Sequence, residues 1–227
     1  MEIREYIREH VLLFDGGMGT YYSRKTHSIG TGCELASIRQ PELIEEIHRE
    51  YLEAGCRAVK TNTFGANRMA FQGDEELVEK TIRAAWELAS RAAADYDAFV
   101  FADIGPVSNP SGDVDVFAEY RFVTDLFLER GARCFLFETN ANTDGLKEIT
   151  AYIRETCPQA YVIVSFAVQA DGFSRDGILA ADLFTHMQKG GQADALGLNC
   201  ICGARHMLQL ARELEHEGMT LALMPNA

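Results

Sequence analysis

Seven short apolar runs rich in β-branched and aromatic residues alternate with longer stretches of helical periodicity, and that alternation restricts the chain to repeated βα units on a parallel sheet. The runs are Val11–Asp15, Arg57–Thr61, Ala98–Asp103, Cys134–Glu138, Val162–Phe166, Ala195–Asn199 and Thr220–Met224. Between them the pattern predicts helices at roughly 41–54, 74–94, 114–131, 143–156, 179–191 and 203–218. In the second of these, Leu77, Ile82, Ala85 and Leu88 recur near helical spacing, while Glu75, Glu76, Glu79 and Lys80 supply the solvated face. Gly55, Gly131 and Gly218 follow helix ends, where a left-handed residue is easiest for glycine.

Six βα units and a seventh strand fall short of the eight that close a (β/α)8 TIM barrel. The predicted fold is therefore α/β, an incomplete TIM barrel, with residues 1–227 as one domain truncated at its C-terminus. An unfinished barrel leaves strand edges unpaired, so self-association through the open edge is expected.

A net charge of −13 leaves no basic stripe for phosphates, which argues against nucleic acid and anionic membranes as partners. The first ten residues are charged throughout and cannot form the apolar core of a secretion signal. Six scattered cysteines then fit a reducing, cytoplasmic setting in which most are small buried residues.

In parallel βα architectures ligands bind beyond the carboxyl ends of the strands, so polar residues there carry most weight. The first run ends in Asp15-Gly16-Gly17-Met18-Gly19-Thr20, a carboxylate beside glycines whose amides can approach an anion; a plain glycine turn is the alternative. The second ends in Lys60-Thr61-Asn62-Thr63-Phe64-Gly65-Ala66-Asn67, whose hydroxyls and amides suit a zwitterion, with a local turn as the other reading of Asn67. Glu138 closes the apolar fourth run and needs a compensating cation, either a ligand ammonium or a neighbour such as Lys60. Cys200 ends the sixth run, with Cys202 and His206 close behind; it is either an inert thiol or a metal donor.

Taken in order, several segments resemble the homocysteine S-methyltransferase family. They are Asp15–Thr20, Cys33-Glu34-Leu35 before Pro41-Glu42-Leu43-Ile44, Thr61–Arg68, Gly105-Pro106, Phe137-Glu138-Thr139, Gly197-Leu198-Asn199-Cys200 and Pro225-Asn226-Ala227. The family includes the homocysteine-binding module of cobalamin-dependent methionine synthases and bifunctional proteins that carry a methylenetetrahydrofolate reductase. The resemblance implies a methyltransferase of methionine biosynthesis, in which Zn(2+) held by three thiolates activates the homocysteine thiol. It assigns Asp15 and Glu138 to the substrate ammonium, Gly16 and Gly17 to its carboxylate and Cys200 to zinc, while the polar exit of the second run adds Asn62 as a further substrate contact. The adjacent cysteine pair that supplies the family's other zinc ligands does not occur in this sequence.

The resemblance leaves the methyl source open, whether cobalamin or folate on another domain or chain, or a sulfonium donor, and makes homocysteine and a methyl donor or methyl-carrier domain the expected partners. Two other readings compete. One is a Schiff-base lyase using Lys60 at its strand end. The other is a metal-free amino-acid-binding or interaction module built on Asp15 and Glu138.

Overall fold

The computed structural model describes residues 2–28, 32–109, 111–214 and 218–226. In chain order the elements are α1 (Ile3–Glu9), α2 (Met18–Thr26), a single 3-10 turn (Cys33–Leu35), α3 (Ala36–Arg39), α4 (Pro41–Glu53), β1 (Ala58–Lys60), α5 (Glu75–Ala94) and β2 (Phe99–Ile104). There follow α6 (Val116–Leu128), β3 (Cys134–Asn140), α7 (Leu146–Thr156), β4 (Tyr161–Phe166), α8 (Ala180–Gln188), β5 (Ala195–Gly203), α9 (Ala204–Glu213) and β6 (Thr220–Asn226). The strand order is β1-β2-β3-β4-β5-β6, so every crossover leads to the next neighbour. That is the order of an incomplete (β/α)8 TIM barrel, in contrast to a doubly wound sheet, whose order reverses.

The chain divides into two compact units, residues 1–103 with 125–134, and residues 104–124 with 135–227. In the first, Ala58, Val59 and Lys60 of β1 pair in parallel with Phe99, Val100 and Phe101 of β2. The strand expected at Val11–Asp15 is reduced to one parallel bridge between Phe14 and Ala58. Leu13 accepts from the amides of Arg57 and Ala58, and the Asp15 amide donates to Ala58. Val11 and Leu13 are exposed, so this segment lacks the two covered faces that hold a parallel strand.

Helix α4 starts on Pro41, whose missing N–H would be unpaired in the first turn anyway, and buries Ile44, Ile47, His48 and Leu52. Helix α5 is capped by the Asp74 carboxylate, which accepts from the Leu77 amide at 3.0 Å. Its apolar stripe runs through Val78, Ile82, Ala85 and Leu88, one position on from the expected Leu77, which is only half-buried. Leu52, Cys56, Val59, Ala89 and Ala92 form one cluster between these helices and the strand. Gly55 and Gly131 take the left-handed conformation expected beyond helix ends.

In the second unit β4 and β5 pair in parallel from Ile163↔Ala195 to Phe166↔Leu198, and β5 and β6 pair from Ala195↔Thr220 onward. β4 is buried along its whole length, as a strand covered on both faces must be. Phe135, Phe137, Phe166 and Phe184 are fully buried here, and each such side chain contributes about 1.5–3 kcal/mol of hydrophobic stabilisation. Helices α1 and α2 were not expected from the sequence. Among the described residues no helix is long and apolar enough to cross a membrane.

Candidate functional site

Within the first unit, the polar groups gather where β1 ends and α2 begins. Asp15 is buried, and its Oδ2 accepts the main-chain N–H of Lys60 at 3.0 Å. The chain then passes through Gly16 to Gly17, which immediately precedes α2. A Cβ on Gly16 would stand 2.7 Å from the Tyr51 hydroxyl oxygen, so any larger residue there would displace that ring. Burial, and then the Asp15 charge, raise the Tyr51 pKa above the usual tyrosine range. The α2 N-terminus presents its first amides beside a carboxylate and a phenol, a setting in which a bound anion meets backbone donors. Tyr51 itself was missed in the sequence, where it reads only as part of an amphipathic helix.

The polar exit of β1 is committed to the protein. Thr63 donates its hydroxyl proton to the Asp103 carbonyl at 2.7 Å, and the Thr61 hydroxyl oxygen accepts from the Asp103 amide at 2.9 Å. Each hydroxyl has one proton, so the 2.7 Å contact between them runs from Thr61 to Thr63. The Asn62 carboxamide donates to the Cys33 carbonyl at 2.6 Å and to the Ser37 hydroxyl at 3.2 Å, and its oxygen accepts from the Cys33 thiol at 3.1 Å. Asn62 thus fastens the 3-10 turn and α3 to the strand end. Asn67 accepts from the Ala70 amide and closes its own turn. Beside these, Glu34 Oε1 accepts from the Gly65 amide at 2.9 Å.

Within the second unit, the ends of β3, β4 and β5 converge on Asn199. Its Oδ1 accepts from the Thr139 amide at 2.8 Å and from the Ser165 hydroxyl at 2.9 Å. A main-chain N–H can only donate, which fixes the oxygen on that side and turns the NH2 the other way. That NH2 meets Glu138 Oε2 at 3.3 Å, Thr139 Oγ1 at 2.7 Å and Cys200 Sγ at 3.4 Å. Glu138, the acid expected at a barrel mouth, is buried, and Cys200 is half-buried.

The backbone here is strained. Thr139, Cys200 and Ile201 have φ of 64°, 57° and 56°. β-branched residues rarely enter that region, and such conformations cost on the order of 1–3 kcal/mol each. The β5–β6 register is irregular between Asn199 and Gly203, so β5 bulges where it carries Cys200. Asn140, next to Thr139, donates to the Phe137 and Ser165 carbonyls and accepts from Tyr120. It borders a cavity of about 460 Å³ lined by Tyr120, Asn142, Asp144, Arg175 and the loop after β2. That loop behaves as turn chemistry: Asn109 accepts from the Val114 amide and donates to its carbonyl.

The cysteines differ in environment. Burial pushes the Cys33 and Cys56 thiols up to about 12 and raises Cys202 above the usual range, which keeps all three protonated near neutrality. His206 lies exposed on α9. Among the described residues no group of three or more His, Cys, Asp or Glu side chains gathers to hold a metal ion. They do not by themselves fit a closed zinc centre, which needs about three or four donors; Cys200 offers one.

The profile of a family described as Homocysteine S-methyltransferase matches residues 12–227. The chain is 28% identical over 253 residues to a methionine synthase of Mycobacterium leprae (strain TN). It is 28% identical over 256 residues to one of Mycobacterium tuberculosis (strain ATCC 25618 / H37Rv). Both matches take in 100% of this chain and 21% of the relative, so the chain spans about a fifth of the length of these curated relatives. Among solved structures it is similar to the apo form of the homocysteine methyltransferase MmuM from Escherichia coli, with TM-score 0.77 and 25% identity over 99% of this chain and 86% of that one. The oxidized form gives TM-score 0.79 at 24% identity with the same coverage, and a metallated form 0.76 at 23% over 97% of this chain and 86% of that one. At those identities the last two speak for the fold alone.

Proposed function

The chain belongs to the homocysteine S-methyltransferase family, and on that premise we propose that it binds homocysteine for transfer of a methyl group to the homocysteine sulfur. In that step a bond forms between sulfur and the methyl carbon as the bond from methyl to its donor breaks. The electron pair leaves with the donor, and methionine results. The reading is carried by one observation: a buried acid and a half-buried thiol, Glu138 and Cys200, are held by the same Asn199 carboxamide at strand ends.

Each polar group has a task in this reading. Asp15 and Glu138 supply negative charge to the substrate ammonium, and the amides around Gly16 and Gly17 receive its carboxylate. Asn62 serves from behind, holding Cys33 and Ser37, because its carboxamide is already committed to them. Zinc, with Cys200 as one of its donors, would make the substrate thiol a nucleophile. A methyl-carrier domain with cobalamin or folate, a cytoplasmic setting with all six cysteines reduced, and self-association belong to the same proposal. Exposed Val11 and Leu13 support the last of these.

The test is calorimetric titration with L-homocysteine under reducing conditions, for the wild type, Asp15→Asn and Glu138→Gln. Each substitution keeps the side chain's size and removes its charge, so affinity is expected to fall about tenfold or more in both. Methionine formation is then followed with methylcobalamin, methyltetrahydrofolate or S-methylmethionine as donor. A wild type that binds no homocysteine at millimolar concentration overturns the reading. Binding without methionine formation from any donor favours an amino-acid-binding module.

A further inference from the structure

Asn199 is 1% exposed, and every polar atom of its side chain is in use. Its partners lie on three strands, β3, β4 and β5, and two of them carry the groups that the proposed reaction requires. A buried carboxylate is costly unless a donor faces it, and the Asn199 NH2 is such a donor on Glu138 Oε2. The same NH2 faces the Cys200 sulfur, and the same residue's Oδ1 receives the amide of strained Thr139, directly after Glu138. One side chain therefore bonds both the Glu138 carboxylate and the backbone turn that carries it.

We infer that Asn199 is a positioning residue for substrate recognition: it aims the Glu138 carboxylate at the ligand ammonium without touching the ligand. This rests on the homocysteine reading above. The Thr139 main-chain N–H sets the direction of action. Because it can only donate, it holds Oδ1 on its own side, with the Ser165 hydroxyl donating beside it, and excludes the flipped amide, in which an oxygen would face the Glu138 carboxylate and repel it. Asn140 braces the other side of Thr139 through β4 and α6, so rotation of the strand end does not compensate for loss of Asn199. Asn199 thus preorganises the site in the unliganded protein.

The experiment is a double-substitution cycle on ligand affinity, read with two ligands. L-homocysteine carries the ammonium; 4-mercaptobutyrate has the same thiol and carboxylate without it. Asn199→Ala is expected to weaken homocysteine about tenfold or more and to change 4-mercaptobutyrate less than about threefold, since only the first needs an aimed carboxylate. In a Glu138→Gln background the same substitution is expected to add almost nothing. If Asn199→Ala does not fold, Asn199→Ser is read in the same cycle; its hydroxyl remains polar but is too short to span to Glu138. Equal weakening of both ligands, or additivity with Glu138→Gln, would make Asn199 a structural residue and overturn the assignment. A wild type that binds no homocysteine overturns the substrate reading and this assignment together, whereas wild-type binding with an additive cycle overturns this assignment alone.

Discussion

The main-chain amide of Gly65 donates to Glu34 Oε1 at 2.9 Å, and a Cβ on Gly65 would stand 2.8 Å from the same oxygen. The bond and the close approach are one feature: the carboxylate reaches the amide because no side chain intervenes. Glu34 and Asn62 together fasten the 3-10 turn over the exit of β1.

Gly65→Ala is expected to break that bond and destabilise the protein by about 1–3 kcal/mol, the scale of overpacking combined with a lost charge-assisted hydrogen bond. In denaturant unfolding, Glu34→Ala should cost less, because it loses the hydrogen bond without creating a clash; in the double substitution it removes the group that a Cβ on Gly65 would meet. The double substitution should then be less destabilising than the two effects added together. Strict additivity would mean that Glu34 and Gly65 are not coupled.

Ile201 sits at φ 56° and is 50% exposed, so it bears strain and gains little from packing. Asparagine tolerates the left-handed region, and Ile201→Asn is expected to stabilise the protein by about 1 kcal/mol. The check is an increase in denaturant midpoint at unchanged slope. A fall would show that Ile201 is held by contacts worth more than the strain.

These residues mark the limit of what the sequence reveals. The six strands that pair were legible as short, mostly apolar runs such as Cys134–Glu138 and Val162–Phe166, the kind of segment a doubly covered strand carries. Val11–Asp15 has the same look, yet just one residue bridges, since exposure depends on what the fold places beside it. Asp15 and Glu138 stood out as acids ending apolar runs, and the structure keeps both buried. The commitment of Asn62 to Cys33, and of Asn199 to Glu138 61 residues away, follows no local spacing. Such contacts are made by strand order and register. The short helices α1 and α2 escaped because charged and small residues dilute their apolar periodicity.

The cysteine environments give a chemical test. Cys33 and Cys56, pushed up to about 12 by burial, should resist iodoacetamide at pH 7.5 in the native protein and react at ordinary rates in denaturant. Mass spectrometry of tryptic peptides after a timed pulse reads both sites. Rapid native labelling of Cys33 would mean that its hydrogen bond to Asn62 opens readily.

His48 links folding to acid. It is fully buried on α4, and neither ring nitrogen has a hydrogen-bond partner among the described residues. Burial depresses its pKa from the ordinary 6.5 to about 4, and the charge of Glu45 offsets only part of that. The unfolded chain takes up a proton near pH 6.5 while the folded chain does not until about pH 4. Stability is therefore fully present above pH 6.5 and drains away as the pH falls toward 4, by up to about 3 kcal/mol. His48→Leu removes both unpaired nitrogens and is expected to leave stability at pH 7.5 equal or higher. Its difference from wild type should widen between pH 6.5 and 4 and level off below. Denaturant unfolding of the two proteins across that range is the measurement, and a difference that stays constant with pH would mean that His48 takes up its proton at the same pH in the folded and the unfolded chain.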